Sequence, residues 1–220
     1  DAAERQAADD QLGLMTPVLK GVLTDIGFDN AVKAQQMYGG HGYIAEHGME
    51  QFVRDARIAM IYEGANGVQA MDLVGRKLGR DGGRGIMAFF NEVGAFVKEN
   101  EGDEALKPLL APLAASLGHL QQATMWFMNN ALAKPDNAGA GAHDYMHLLG
   151  LVCLGYMWAK MAKVAQDKLK AGANGATERM NAKLVTARFF MERSLPETAA
   201  HLARITSGSD ATMALSAEQF

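Results

Sequence analysis

The chain has 220 residues, 49% of them hydrophobic, with a formal net charge of -4 and a pI near 5.9. This is enough apolar material to bury a core in one or two domains, and it excludes a wholly disordered chain. The acidic balance, with no concentrated basic face, argues against nucleic-acid binding.

The first ten residues, DAAERQAADD, lack the basic and apolar regions of a secretory signal, and a chain opening on Asp rather than Met is expected to be a fragment of a longer protein. Apolar residues then recur at helical spacing almost throughout, which predicts an all-α fold. Thr16-Pro17 reads as an N-cap and a proline at the first helical position. The helix it opens carries Val18, Val22 and Ile26 in one row and runs to about Tyr38, where Gly39-Gly40 stops it. Met49, Phe52, Val53, Ala56 and Met60 form the apolar face of a second helix ending near Tyr62. Val68, Met71, Val74 and Leu78 form that of a third, with Glu63-Gly64 between the two.

Residues 79–84, within the glycine-rich GRDGGRG, read as a linker separating a first helical domain (1–78) from a second (85–220). In the second, the rows Ile86, Phe89, Phe90, Val93 and Leu106, Leu110, Leu113, Leu117 predict two helices. A turn-rich stretch at 134–141 precedes a mostly apolar helix at about 143–171. A glycine-bounded turn at 172–175 leads to a last helix, with Met180, Leu184, Ala187 and Met191, bent at Leu195-Pro196. Short connections between such helices predict an up-and-down helical bundle.

Leu148 to Ala162 contains Lys160 and falls short of the roughly 20 apolar residues of a membrane span, so it reads as a core helix. The single cysteine, Cys153, cannot form an intrachain disulfide and reads as a buried thiol in a reduced, intracellular setting. The fourteen methionines read as core packing.

Glu63 is the residue best suited to chemistry. A carboxylate that removes a proton from carbon needs a fixed position and raised basicity, which partial burial beside apolar groups supplies. Ile61 and Tyr62 precede it, and Gly64 permits close approach of a ligand to the backbone. The competing reading is a first-turn glutamate that stabilises a helix dipole, and spacing alone favours that one. Gly39-Gly40-His41-Gly42 offers backbone amides for phosphate, but it follows a helix, which excludes a dinucleotide-binding βαβ unit. A tight helix stop is its alternative.

Arg54, Asp55 and Arg57 read as solvated charges or a local ion pair. His143 and His147 lie one helical turn apart, yet HDYMH departs from the zinc-protease pattern and the sequence offers no evident third ligand, so no metal site is assigned.

Taken in order, QMYGGHGY, VRDARI and IYEGANGVQ resemble the carboxyl-terminal helical region of the acyl-CoA dehydrogenase family over residues 12 to 78. The continuation YEGANGVQAMDLVGRKL and the helices after it resemble the larger bacterial type similar to 3-methylmercaptopropionyl-CoA dehydrogenases. The resemblance implies an FAD enzyme that forms a double bond between Cα and Cβ of an acyl-CoA thioester. Glu63 aligns with the catalytic base, and Glu63 and Gly64 with the substrate-binding turn. Gln36, Gly39 and Gly40 align with the segment touching the FAD of a neighbouring subunit, and Asn66 and Gly67 with the turn that approaches the flavin nucleotide.

Homo-oligomerisation, an electron-transfer flavoprotein as candidate acceptor and a bacterial cytoplasmic setting are further implications. Ala65 stands where the family usually has threonine, which removes a hydroxyl contact and leaves Asn66 as a candidate helix cap. The family's amino-terminal and middle domains are not visible, so the isolated chain is expected to be inactive. An acyl-CoA oxidase, or a non-catalytic helical module for assembly, remains an alternative.

Overall fold

The computed structural model describes residues 1–131, 133–172 and 177–219; the fold is all-α, with no strand among them. It divides into two compact units, Asp1–Gly85 and Ile86–Phe220.

The first unit is organised by one long helix, α1 (Ala2–Met37), against which α3 (Met49–Ile58) and α4 (Asn66–Asp72) pack. Its start corrects the sequence expectation. Asp1 and Glu4 form a reciprocal capping box, so Thr16 and Pro17 lie inside the helix. Thr16 Oγ1 donates to Leu12 O (2.7 Å), and Pro17 is buried with Leu14, Val18, Gly21 and Val22. Burial of that face outweighs the few kcal/mol a proline costs in a helix interior, about 3 kcal/mol.

Gly39, at φ 58°, ends α1, and the short helix α2 (Gly40–Tyr43) follows. The helix expected to reach Tyr62 ends at Ile58, and Phe52, assigned to its apolar face, is exposed. The face assigned to the next helix is also corrected. Val68 and Met71 are exposed, while Asn66, Ala70 and Leu73 are buried in their place; Leu78, of the expected face, is buried as expected. A single wide turn at Leu73–Lys77, closed by Leu78 N–H donating to Leu73 O (2.8 Å), rotates the register so that residues five apart face the same side.

The glycine-rich segment after Leu78 is tied down. Asp81 and Gly82 have positive φ, Arg80 pairs with Asp9, and Arg84 pairs with Asp10 through Nε and through Nη2 (2.9 Å to Oδ1). The bidentate Arg84 contact holds the Asp10 carboxyl down at about 2.

The second unit contains α5 (Arg84–Glu99) from Ile86 onward, α6 (Lys107–Asn130), α7 (Pro135–Lys170), α8 (Thr177–Arg193) and α9 (Glu197–Thr206). α7 is its centre, packed on α6, α8 and α9. Leu113, Leu120, Tyr145, Leu149, Val152 and Ile205 are fully or almost fully buried there. Tyr145 Oη and Thr124 Oγ1 pair at 2.7 Å, which satisfies the one polar atom of that ring, and burial raises the phenol's pKa.

Two expectations are corrected here. In the stretch expected as a turn at 134–141, residues 135–141 are already helix after the extended Lys134, because Pro135 occupies a first-turn position where its missing N–H is harmless. Asn137 Oδ1 meanwhile accepts from Ser209 N–H (3.0 Å) and Oγ (2.9 Å). The last expected helix is two, interrupted at Ser194–Pro196 rather than bent. The turn expected at 172–175 lies, beyond Gly172, outside the described residues.

Among the described helices, α7 alone is long and apolar enough to cross a bilayer by length and composition. Its most apolar window is 56% buried, as a core helix requires. Cys153 lies on it, and burial pushes its thiol up to about 12, leaving a poor nucleophile.

Candidate functional site

Glu63 sits at the apex of the loop between α3 and α4. The loop is closed at its base by Asn66 N–H donating to Met60 O (3.1 Å). Glu63 has φ 52° and Gly64 φ 85°, two successive residues in the left-handed region. For glutamate this conformation is strained, by about 1–2 kcal/mol. Gln69 Nε2 supports it from α4, donating to the carbonyls of Glu63 and Gly64 (both 3.3 Å). At Gly64 a Cβ would meet Gln69 Nε2 at 2.8 Å, the movable end of a side chain, so it is the backbone at φ 85° that calls for glycine.

The Glu63 side chain is exposed, which corrects the expectation that neighbouring apolar groups of this chain bury it. Ile61 and Tyr62 are themselves about half exposed.

Asn66 is the buried polar residue of this site, 7% exposed, and its amide is consumed by α1. Lys20 Nζ donates to Oδ1 (2.6 Å), and Nδ2 donates to Gly21 O (3.1 Å), Thr24 Oγ1 (2.9 Å) and Asp25 Oδ1 (2.7 Å). A lysine can only donate and a carboxylate only accept, so these partners determine which way the amide points. The expectation of Asn66 as a helix cap is corrected: Ala65 is the N-cap residue of α4, and no side chain caps it. Asn66 instead pins the end of the Glu63 loop to α1, a role its own neighbourhood in the sequence does not indicate. The signal that could have suggested it is the polar i, i+4 pair Lys20 and Thr24 beside the apolar row Val18, Val22.

The glycine turn after α1 is a second exposed feature. Gln36, Gly39 and Gly40 are all exposed. Gly42, passed over in sequence, is the tightly packed member: a Cβ there would stand 2.3 Å from Gln35 O. Gln35 Nε2 also donates to Gly42 O (3.1 Å). By contrast, a Cβ on Gly40 or Gly67 would meet nothing within 4 Å, and neither has positive φ. The fold of this chain therefore does not demand glycine at those two positions, and both leave bare backbone for an outside group.

Between α1 and α3, Phe28, Tyr43, Val53, Arg57 and Ile61 line an open groove of about 690 Å³. Arg57 stacks over Phe28, 5.4 Å from the ring centroid, rather than pairing with Asp55, which accepts from Gln51 (2.7 Å). In the second unit the His143 and His147 rings stand 4.4 Å apart, and His147 stacks on His201 at 5.9 Å. His201 Nδ1 pairs with Asp144 Oδ1 (2.7 Å), which Arg204 Nε also engages. Burial lowers the imidazole's pKa against the opposing pull of Asp144.

Known proteins resemble the chain along both units. Residues 1–78 match the family described as acyl-CoA dehydrogenase, C-terminal domain, and residues 89–216 match the family described as acetyl-CoA dehydrogenase C-terminal like. A 3-methylmercaptopropionyl-CoA dehydrogenase of Ruegeria pomeroyi is 33% identical over 96% of this chain and 36% of its own length. A broad-specificity linear acyl-CoA dehydrogenase of Mycobacterium tuberculosis is 30% identical over 83% of this chain and 31% of its own. A butyryl-CoA dehydrogenase of Syntrophomonas wolfei is 24% identical over 88% and 32%. The chain thus spans about a third of the length of these curated relatives. With both helical units matched in order and 128 of its residues, 89–216, covered by one of the two families, the chain belongs to the acyl-CoA dehydrogenase family, of which it carries the carboxyl-terminal helical regions.

Proposed function

We propose that this chain is the base-bearing and assembly part of an FAD-dependent acyl-CoA dehydrogenase, with Glu63 removing the Cα proton of an acyl-CoA thioester. The observation that carries the reading is the Glu63 loop. An exposed carboxylate is held at a strained left-handed apex, with its exit pinned to α1 by a buried asparagine. A stabilising first-turn glutamate has no need of such a conformation, whereas a strained residue supported by its surroundings is typical of functional sites.

In this mechanism the Glu63 carboxylate accepts the proton as the Cα–H bond breaks, and the backbone N–H groups at Glu63 and Gly64 favour negative charge developing on the thioester oxygen. Bound FAD would supply the acceptor for the hydride leaving Cβ, so that one proton and one hydride depart as the double bond forms. Gln36, Gly39 and Gly40 would approach the FAD of a neighbouring subunit, and Gly67 the flavin nucleotide. The open backbone at Gly40 and Gly67 fits that assignment. Asn66 would act on the cofactor side only through the turn it holds. The exposure of Met37, Tyr43 and Phe52 supports cover by the rest of the protein or by a second copy. The bacterial relatives support a bacterial cytoplasmic setting, and the chain alone is expected to be inactive.

The test is Glu63→Gln in the complete protein. It should retain FAD and bind acyl-CoA, yet lose substrate-dependent flavin bleaching by about 10²- to 10⁴-fold. Near-normal bleaching would remove Glu63 from the chemistry.

A further inference from the structure

The face between α7 and α8 carries a feature that the dehydrogenase reading does not use. Met161, Val164 and Met180 line the apolar part of an open groove of about 450 Å³, within the size range of small-molecule sites. Lys160, Lys168, Arg179 and Lys183 line the same groove, with no acidic residue in its lining among the described residues; outside the lining, Glu92 accepts from the hydroxyl of Tyr156 (2.9 Å), the ring beside Lys160. Four cations in one lining run against the chain's own net charge of -4.

Neighbouring cations behave differently. Lys163 pairs with Asp167 (3.7 Å) and Lys170 with Asp103 (3.7 Å), whereas none of the four groove cations has an ion-pair partner among the described residues. Two of them are held over aromatic rings instead: Lys160 stands 4.9 Å from the Tyr156 centroid and Lys183 5.2 Å from that of Trp158. Such contacts orient an ammonium group without neutralising it. Like charges held close repel, and the field they produce in a low-dielectric groove concentrates anions. The apolar part adds a second requirement. Met161 and Val164 are 38% and 53% exposed, so a ligand that covers them gains by burying hydrocarbon.

We infer that the α7–α8 groove is a binding site for a monomeric anionic amphiphile, a linear alkyl chain ending in a carboxylate. The chain would lie along Met161, Val164 and Met180, and the head would meet Arg179, whose planar fork suits a carboxylate, with Lys168 beside it. This site belongs to the second unit, and the inference does not rest on the reaction proposed for Glu63 in the first.

The experiment titrates the 220-residue chain with dodecanoate kept below its micellar concentration, read by calorimetry and by the fluorescence of Trp158 in a Trp126→Phe background. Dodecanoate should bind saturably at one site, while dodecanol, acetate and inorganic phosphate should each bind at least about tenfold more weakly. Lys168→Glu with Arg179→Glu should weaken dodecanoate by about tenfold or more, whereas Lys33→Glu, a charge reversal in the other unit, should leave it unchanged. Helicity by circular dichroism verifies that the exposed substitutions preserve the fold, and Val164→Asp supplies an independent loss through the apolar part. Equal binding of dodecanol, undiminished binding by the double variant, or association with phosphatidylglycerol vesicles but not with monomeric dodecanoate would overturn the proposal.

Discussion

Lys20 and Asn66, 46 residues apart in sequence, meet at 2.6 Å, and through them the proposed catalytic loop is locked to the longest helix of its unit. The amide of Asn66 serves Lys20 on its oxygen side and Gly21, Thr24 and Asp25 on its nitrogen side.

Removing that amide takes a hydrogen bond from each of Lys20, Gly21, Thr24 and Asp25 at a buried position. Asn66→Ala should lower the stability of the chain by about 1–3 kcal/mol in urea denaturation. Asn66→Asp should be at least as damaging at neutral pH, since a carboxylate would face Asp25 at the position where Nδ2 now lies 2.7 Å away. Its deficit should shrink as pH falls and one of the two carboxyls takes up a proton. An Asn66→Asp variant as stable as the parent at pH 7 would contradict the clamp.

Strain at Glu63 gives a prediction of opposite sign. Glycine adopts φ near 52° without the steric penalty that glutamate meets, so Glu63→Gly should melt higher, with a gain of up to about 1 kcal/mol after its greater unfolded-state entropy. Glu63→Gln keeps the penalty and should melt like the parent. In the complete protein both should lose the proposed dehydrogenation. A stabilised but inactive glycine variant would mark the conformation as one retained for function.

Gly141 reports on the packing of the second unit. A Cβ there would stand 2.8 Å from Phe127 Cζ, and that ring is buried edge-on against Tyr145 at 5.2 Å. Gly141→Ala gains about 1 kcal/mol of helix propensity but forces the ring to move, and overpacking of this kind costs about 1–3 kcal/mol. The net effect should be destabilising, visible as a lower melting temperature. Gly139→Ala, on the same helix with nothing within 4 Å of its Cβ, should raise it.

Acid stability should depend on Asp10. Its carboxyl titrates at about 2 in the folded chain, held there chiefly by Arg84, against 3.8 for the unperturbed group. The unfolded chain therefore takes up the proton first. The contribution is fully present above about pH 4 and is lost as pH falls towards 2. Asp10→Asn should flatten the acid limb of the stability profile across that window and leave its slope near pH 7 unchanged. High salt should reduce the difference between the two proteins, because the pair is partly open to solvent.

Much of the architecture was legible before any coordinates. Helical periodicity identified every long helix, and the stop at Gly39-Gly40 and the break at Glu63-Gly64 fell where the chain turns. The errors have a common source. Thr16-Pro17 and residues 135–141 carry residue types that end helices in isolation, yet both lie within helices whose buried faces run through them. Val68 and Met71 follow the right period but face outward, since the wide turn at Leu73–Lys77 shifts the register by a residue, and such a turn leaves no mark on periodicity.

The sequence by itself determined the all-helical class and the placement of Glu63 at a glycine-marked break, because these follow from local propensity and spacing. Only the tertiary structure decided that Glu63 is strained rather than merely placed in a turn, that Asn66 holds the loop rather than capping a helix, and that four cations converge on one groove. Each of those depends on groups brought together by packing from positions tens of residues apart or on a dihedral angle that packing enforces, and neither is encoded in any short run of residues.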